Sequence, residues 1–225
     1  TIHLLRQVEA ISKSSGLTFD RIHLISGKDY PLQTNPKLDK LFEEPEVMAY
    51  MTISKNSQDR NWRWRFEIYH LADVFNLRGR YSILPKTIAK LQLILWKRGV
   101  RIRKPLEKEI FVGSNWFTID ASLMNWLLDE IEQHPELLKR FKWTRCCDEV
   151  FFHYIILNGP YKEKVKNDNY RFVKWKDGDC CTLSETDYED AVNSGAAFCR
   201  KVTMKDSSSL LEKIDERIYI QISHK

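Results

Sequence analysis

The sequence has five cysteines but no C-x-x-C spacing among them. Cys146 and Cys147 are adjacent, as are Cys180 and Cys181, and Cys199 stands alone. That pattern excludes the common thiolate zinc sites and reads as free, buried thiols. There is no Asn-x-Ser/Thr sequon. Both absences point to a reducing compartment. No apolar run is long enough to span a bilayer: "TIAKLQLILW" is short and flanked by charge. Signal peptide, internal repeat and low-complexity linker are also missing, which predicts one domain over residues 1–225. The chain opens inside a helical pattern, with Ile2, Leu5, Val8 and Ile11 at three-residue steps. The expectation is a domain that is incomplete at its N-terminus.

Charge of one sign is scarce too. Lys plus Arg number 36 against 31 Asp plus Glu, a net charge of +5 with the signs mixed along the chain. A dedicated nucleic-acid binder carries a concentrated basic stripe, so no nucleic-acid partner is expected. A small positive excess suits an enzyme whose ligand carries phosphates. What is present is apolar: 43% hydrophobic and 12% aromatic residues, enough for a substantial core.

Along the chain, "RIHLI" reads as a short buried strand and "SGKDYP" as a turn in which Gly27 permits close backbone approach. Asn35 is the expected N-cap of a helix with Pro36 at its first position. "EVMAYMTI" is a second strand. The alternation predicts an α/β sheet covered by helices. "LPKTIAKLQLILWKRG" is a helix closed by Gly99, "FVGSNWFTID" a strand bent at Gly113, and Asp120 caps a helix broken near Pro135. "DEVFFHYIIL" is a helix and "NYRFVKW" one strand. "TDYEDAVNSG" is a short helix, "AAFCRKV" a return to the core, and an amphipathic helix ends the chain.

Several clusters could carry chemistry. Asp148 and Glu149 stand at the head of an apolar run, where acids interact favourably with a helix dipole. Alternatively, Asp148 caps that helix and Glu149 points into a cleft as a general base. Ser26, Gly27 and Asp29 form either a plain tight turn or a polar ligand site at a strand's carboxyl end. "WRWRFE", with Trp62, Arg63, Trp64 and Arg65, reads as a solvated strand or as a stacking surface for saccharide or nucleic acid. Arg200 and Lys201 are a strand edge, or cations for a diphosphate leaving group. Asp177–Gly178–Asp179 has the D-x-D form of a metal site but reads as a polar turn, so no metal is assigned.

Taken together, "LISGKDYPLQTN", "FVGSNWFTID", "DEVFFHYIILN", "RFVKW" and "AAFCRKV" resemble, in order, segments of one family. It is the core-2/I-branching β-1,6-N-acetylglucosaminyltransferase family, which includes the peptide O-xylosyltransferases. Phe151–Phe152–His153 is closer to the xylosyltransferase branch. The resemblance implies a GT-A-like mixed sheet flanked by helices, here without the family's N-terminal βαβ nucleotide-binding unit. It implies an inverting, metal-independent transferase. The enzyme would move GlcNAc or a related sugar such as xylose from a UDP-sugar donor to a hydroxyl of a glycan or glycoconjugate acceptor. Glu149 would be its base. Lys201 would contact the donor diphosphate, with Arg200, Asp29, Ser26 and Gly27 beside it. Trp175, Arg63, Arg65 and Asp148 would serve the acceptor.

The sequence departs from the family pattern in having Cys147 where a proline precedes the acids. It also has no clear second diphosphate-binding arginine between Trp175 and Lys201, a role Arg200 would fill. The rival expectations are a non-catalytic carbohydrate- or nucleic-acid-binding module and a degenerate transferase homologue. The expected location is the cytoplasm, with peripheral membrane association as an option. A Golgi lumen is the alternative if an N-terminal anchor is missing from the sequence. Oligomeric state is not legible.

Overall fold

A computed structural model describes residues 1–54, 60–71 and 83–223. The elements run α1 (Ile2–Ser15), β1 (Arg21–His23), β2 (Asp29–Pro31), α2 (Asn35–Leu41), β3 (Ala49–Ile53), α3 (Arg60–Glu67) and α4 (Ile83–Lys97). Then come β4 (Gly113–Asp120), α5 (Ala121–Gln133), α6 (Pro135–Phe141), a 3₁₀ turn (Cys147–Glu149) and α7 (Phe151–Leu157). The last part holds β5 (Val165–Lys166), β6 (Arg171–Val173), β7 (Trp175–Lys176), β8 (Asp179–Cys180), α8 (Tyr188–Asn193), β9 (Phe198–Arg200) and α9 (Met204–Ser223).

The strands form a four-stranded sheet in the order β1-β4-β3-β5 and a three-stranded sheet in the order β2-β9-β6. Both are mixed. β4 is antiparallel to β1 and β3, while β3 and β5 run parallel. β9 is antiparallel to β2 and parallel to β6. Helices flank the sheets, as the alternation of strand and helix patterns predicts.

Packing explains the arrangement. Met51, Phe117 and Ile119 of the larger sheet are sealed by Leu123, Leu127 and Ile131 of α5 and by Phe152 and Ile156 of α7. The apolar side of α5 recurs every three or four residues, so one face enters this core. A second cluster joins Leu32 and Cys199 to Leu210, Leu211 and Ile214 of α9. Between them, Phe42, Tyr50, Ala197 and Phe198 bridge the two sheets. Phe42 meets Tyr50 edge-on at 4.9 Å, and His23 lies 4.8 Å from Phe42. Such tilted ring contacts add to the area they bury.

Two glycines differ in why they are needed. A Cβ on Gly113 would overlap the Thr52 carbonyl oxygen and His153 Nε2. That close approach lets β4 pass β3 where their register shifts, between Met51 and Ile53. Gly99 closes α4 with φ +86°, a left-handed turn open to glycine.

Five expectations are corrected. "WRWRFE" is helix α3 rather than a strand, so its aromatic and basic residues turn to different sides. α2 is preceded by Thr34 as N-cap, not Asn35, although Pro36 does sit in its first turn. Arg171 to Trp175 is not one strand: β6 ends at Val173, and Trp175 begins the separate β7–β8 hairpin, which turns through Asp177 and Gly178 at positive φ. Asp148 does not cap α7, whose N-cap is Val150. The five thiols are free, but Cys199 alone is buried, and Cys146 is exposed. Among the described residues, no helix is long and apolar enough to cross a membrane.

Candidate active site

The acid pair sits in a constrained turn. Cys146 adopts φ 52°, a left-handed conformation unusual for a side-chain-bearing residue. The 3₁₀ turn follows, and Val150 at φ −131° breaks the path before α7 begins. The break removes both acids from the first turn of the α-helix. Their partners lie in other elements. Asn115 Nδ2 donates to Asp148 Oδ2 at 2.9 Å. Glu149 faces the Arg65 guanidinium of α3 at 3.6 Å.

Glu149 is half-buried, with 38% of its side chain exposed, so a solute can reach it. Burial pushes its carboxyl above the usual carboxylate range, Asp148 pushes the same way, and Arg65 pulls it back. A carboxylate of this kind holds a proton more readily than a free glutamate.

The second group of charges gathers at the β2–β9 edge. Asp29 pairs with Arg200 across the two strands, in direct register. Arg200 Nη1 donates to Asp29 Oδ2 at 3.1 Å and to Ser26 Oγ at 2.7 Å. Ser26 in turn donates to Asp29 from both its backbone N and its hydroxyl, at 2.6 Å each. Beneath them lies Arg171, whose side chain is fully buried, with its Nε 3.8 Å from Asp29 Oδ1. Its Nη2 donates to the Leu24 carbonyl at 2.7 Å. Burial lowers the Arg171 pKa to about 10, and Asp29 opposes that shift. One carboxylate thus serves two guanidiniums, and this corner keeps an excess of positive charge.

Lys201 follows Arg200 directly in the chain. It is half-buried and makes no ion pair with the described residues. Gly27, in the turn beside the cluster, has nothing within 4 Å of where a Cβ would stand. No packing demand or left-handed backbone requires glycine there. The turn therefore offers open backbone next to the Arg200 guanidinium, an arrangement that suits an anion.

β4 links the two charged groups. Asn115 holds Asp148, and the next residue, Trp116, lies under Arg200 with 4.6 Å between guanidinium carbon and ring centroid. The strand start is irregular: Trp116 N donates to Ser114 Oγ at 3.2 Å. So Ser26, Asp29 and Arg200 are brought together with Gly27 in the turn between them, and Lys201 follows Arg200 directly in the chain. Asp148, Glu149 and Arg65 form a second group, the two groups held by consecutive residues of β4.

Other expected residues fall elsewhere. Arg63 pairs with Glu67 along α3 at 3.4 Å. Trp64 packs on His70 at 5.3 Å and carries Arg145 on its ring at 5.6 Å. The Trp62 side chain lies outside the described residues. With their neighbours engaged on different sides of a helix, these residues do not form the flat platform a strand would have made. Trp175 sits on its hairpin, 65% exposed and outside the hydrogen-bonded network above.

Three residues that the sequence reading did not assign as site residues belong to the site: Asn115, Trp116 and Arg171. Each lies inside a motif that signalled the family, "FVGSNWFTID" or "RFVKW", so the signal was present. Their roles are hidden in the sequence because they depend on contacts with residues 33 to 147 positions away. Among the described residues, no three His, Cys, Asp or Glu side chains are grouped to hold a metal.

The family model for the Core-2/I-Branching enzyme matches residues 5–201 of the chain. Xylosyltransferase 2 of Rattus norvegicus is 25% identical over 234 residues, covering 96% of this chain and 25% of its own length. Xylosyltransferase 2 of Canis lupus familiaris is 24% identical with the same coverage. Xylosyltransferase 1 of Rattus norvegicus is 22% identical over 152 residues, 67% of this chain and 16% of its own. The chain thus spans about a quarter of the length of the xylosyltransferase 2 relatives it matches.

Proposed function

The chain belongs to the Core-2/I-Branching enzyme family, and we propose that it transfers a sugar from a UDP-sugar to a hydroxyl of a glycan or glycoconjugate acceptor, with inversion. The observation that carries this reading is the pair of contacts on consecutive β4 residues. Asn115 anchors the acid turn, and Trp116 anchors the cation-rich corner. Base and leaving-group stabiliser are thereby tied to one strand.

In the reaction, Glu149 takes the proton of the acceptor hydroxyl as its oxygen attacks the anomeric carbon. The bond from that carbon to the diphosphate oxygen breaks on the opposite face, and UDP leaves with the bonding electrons. Positive charge already in place stabilises the departing diphosphate without reorganisation. Lys201, without an ion pair among the described residues, contacts it directly. Arg200, held by Ser26, Asp29 and Trp116, presents a fixed second cation. Arg171, beneath Asp29, keeps that carboxylate from neutralising Arg200 fully. Two fixed cations are a physical substitute for a divalent metal, and no metal is assigned to the reaction. Asp148 and Arg65, beside Glu149, are the proposed acceptor side, and Arg63 and Trp175, which fall elsewhere, are not included in it.

The relatives named xylosyltransferases make xylose the first sugar to test, with GlcNAc beside it. UDP release would be followed from UDP-xylose, UDP-GlcNAc and other UDP-sugars, with and without EDTA. Donor-dependent release that EDTA leaves intact supports the reading. Release from no donor, together with no UDP-dependent rise in melting temperature, would sink it.

A further inference from the structure

A separate cavity of about 660 Å³ opens between the loop 103–108 and helices α5, α6 and α7. That volume is in the range of sites that hold a compact small molecule. Its walls include Leu106, Leu137, Tyr154 and Ile155. They also include two arginines, Arg103 and Arg140, and neither makes an ion pair among the described residues.

The arginines' hydrogen bonds go to neutral groups. Arg103 Nη1 donates to the Ile68 carbonyl at 3.3 Å and to Thr144 Oγ1 at 3.2 Å, and its Nη2 donates to the Arg140 carbonyl. Arg140 Nη2 donates to the Phe66 carbonyl at 2.9 Å, while Nε and Nη1 have no hydrogen-bond partner among the described residues. These bonds tie down the end of α3 and the chain beyond it. They do not balance the charges of buried Arg103 and half-buried Arg140, and burial of a charge without a counter-charge is costly. Burial, and then the neighbouring Arg140, lowers Arg103 to about 10.

The carboxylates of the lining are already engaged. Glu107 pairs with Lys104 at 2.6 Å, and Glu130 and Glu136 flank His134 at 3.6 and 3.0 Å. Lys108 and Lys139, also in the wall, have no acidic partner among the described residues. Two arginines and three exposed lysines therefore line the cavity with three carboxylates, an excess of two positive charges around a cavity with an apolar side.

We propose that this cavity binds a phosphate monoester carrying a compact ring or apolar body, its dianion facing the Arg103, Arg140, Lys108 and Lys139 charges and its body against Leu106, Leu137 and Tyr154. A dianion matches the charge excess, and arginine forks suit tetrahedral oxyanions. The site is independent of Glu149 and of the Asp29–Arg200 cluster.

The test uses the full chain and phenyl phosphate as probe, followed by calorimetry, with benzoate and phenyl β-glucoside as controls. Phenyl phosphate is expected to bind at least tenfold tighter than benzoate, and the neutral glucoside not at all. Arg140→Gln should weaken phenyl phosphate at least tenfold. Leu106→Trp, which narrows the cavity without touching the arginines, should do the same if Arg140→Gln fails to fold. Arg200→Gln should leave the binding unchanged. Absence of binding, equal binding of the three probes, binding that survives Leu106→Trp, or binding lost only in Arg200→Gln would each overturn the proposal.

Discussion

Arg65 of α3 and Glu149 of the turn before α7 face each other across 3.6 Å, joining two elements 84 residues apart. The arginine pulls the carboxyl down while burial and Asp148 push it up, and burial is the largest influence. Removing Arg65 takes away the one opposing influence. Arg65→Gln is therefore predicted to raise the Glu149 pKa further. A base works only when ionised, so the acidic limb of the rate–pH profile should move to higher pH. Profiles of UDP release with acceptor, measured for both proteins, check this. A limb that stays in place or moves down contradicts the assignment.

Gly27 and Gly113 should respond in opposite ways to alanine. Gly27→Ala meets open space and should leave the melting temperature within a degree or so of wild type. If the donor diphosphate lies against that turn, the same change should weaken UDP binding several-fold. Gly113→Ala forces a methyl onto the Thr52 carbonyl and His153, and should cost at least about 2 kcal/mol. Thermal melts and UDP titrations of both variants separate the two roles.

Trp116 supports Arg200 through its ring face. Trp116→Leu keeps much of the apolar bulk and loses the cation–ring attraction, worth about 0.5–1 kcal/mol at a partly exposed site. UDP affinity should fall by roughly two- to fivefold, with little change at the acid turn. Acceptor KM is the internal control, and a loss confined to it would count against the donor-side placement.

Acid should destabilise the fold through three histidines. Burial lowers His23, His70 and His153 from about 6.5 to about 4 each. Arg171 and Arg145 assist at His23 and His70. His153 is fully buried, and its Nε2 lies 3.0 Å from the Thr52 carbonyl. The unfolded chain binds protons below about pH 6.5 that the folded chain refuses until about pH 4. Their stabilising contribution is complete above pH 6.5 and lost as the pH falls toward 4, by up to about 1.4 kcal/mol per pH unit for each histidine. Urea unfolding between pH 7 and 4.5 measures the slope, and His153→Gln should flatten it.

The helix-forming and strand-forming segments were legible because their apolar periods are long and regular. α1, α5 and α9 carry that signal through 14, 13 and 20 residues. The Asp120 cap was legible from one residue and its neighbour, and its side chain accepts from Ser122 N at 2.7 Å. "WRWRFE" misled because alternating Trp and Arg fit a strand's period of two, whereas packing of Phe66 into the core selects a helix. The acids were legible as a pair, but their geometry was not. Cys146's left-handed backbone and Val150's break take them off the α-helix, and no propensity scale encodes that. Ser26, Asp29 and Arg200 are each legible only within their own local motifs. Their union required the β2–β9 register, a contact between residues 171 positions apart. Arg171 is not legible, because a buried arginine shows in sequence only when its carboxylate partner is known.

The central claim is tested most directly by Glu149→Gln, which keeps the shape of the side chain and removes its capacity to accept a proton. Transfer from the UDP-sugar that supports turnover should fall by about 10²–10⁴-fold, while the UDP dissociation constant stays within about twofold and the melting temperature does not drop. A variant that transfers sugar at an undiminished rate would contradict the account.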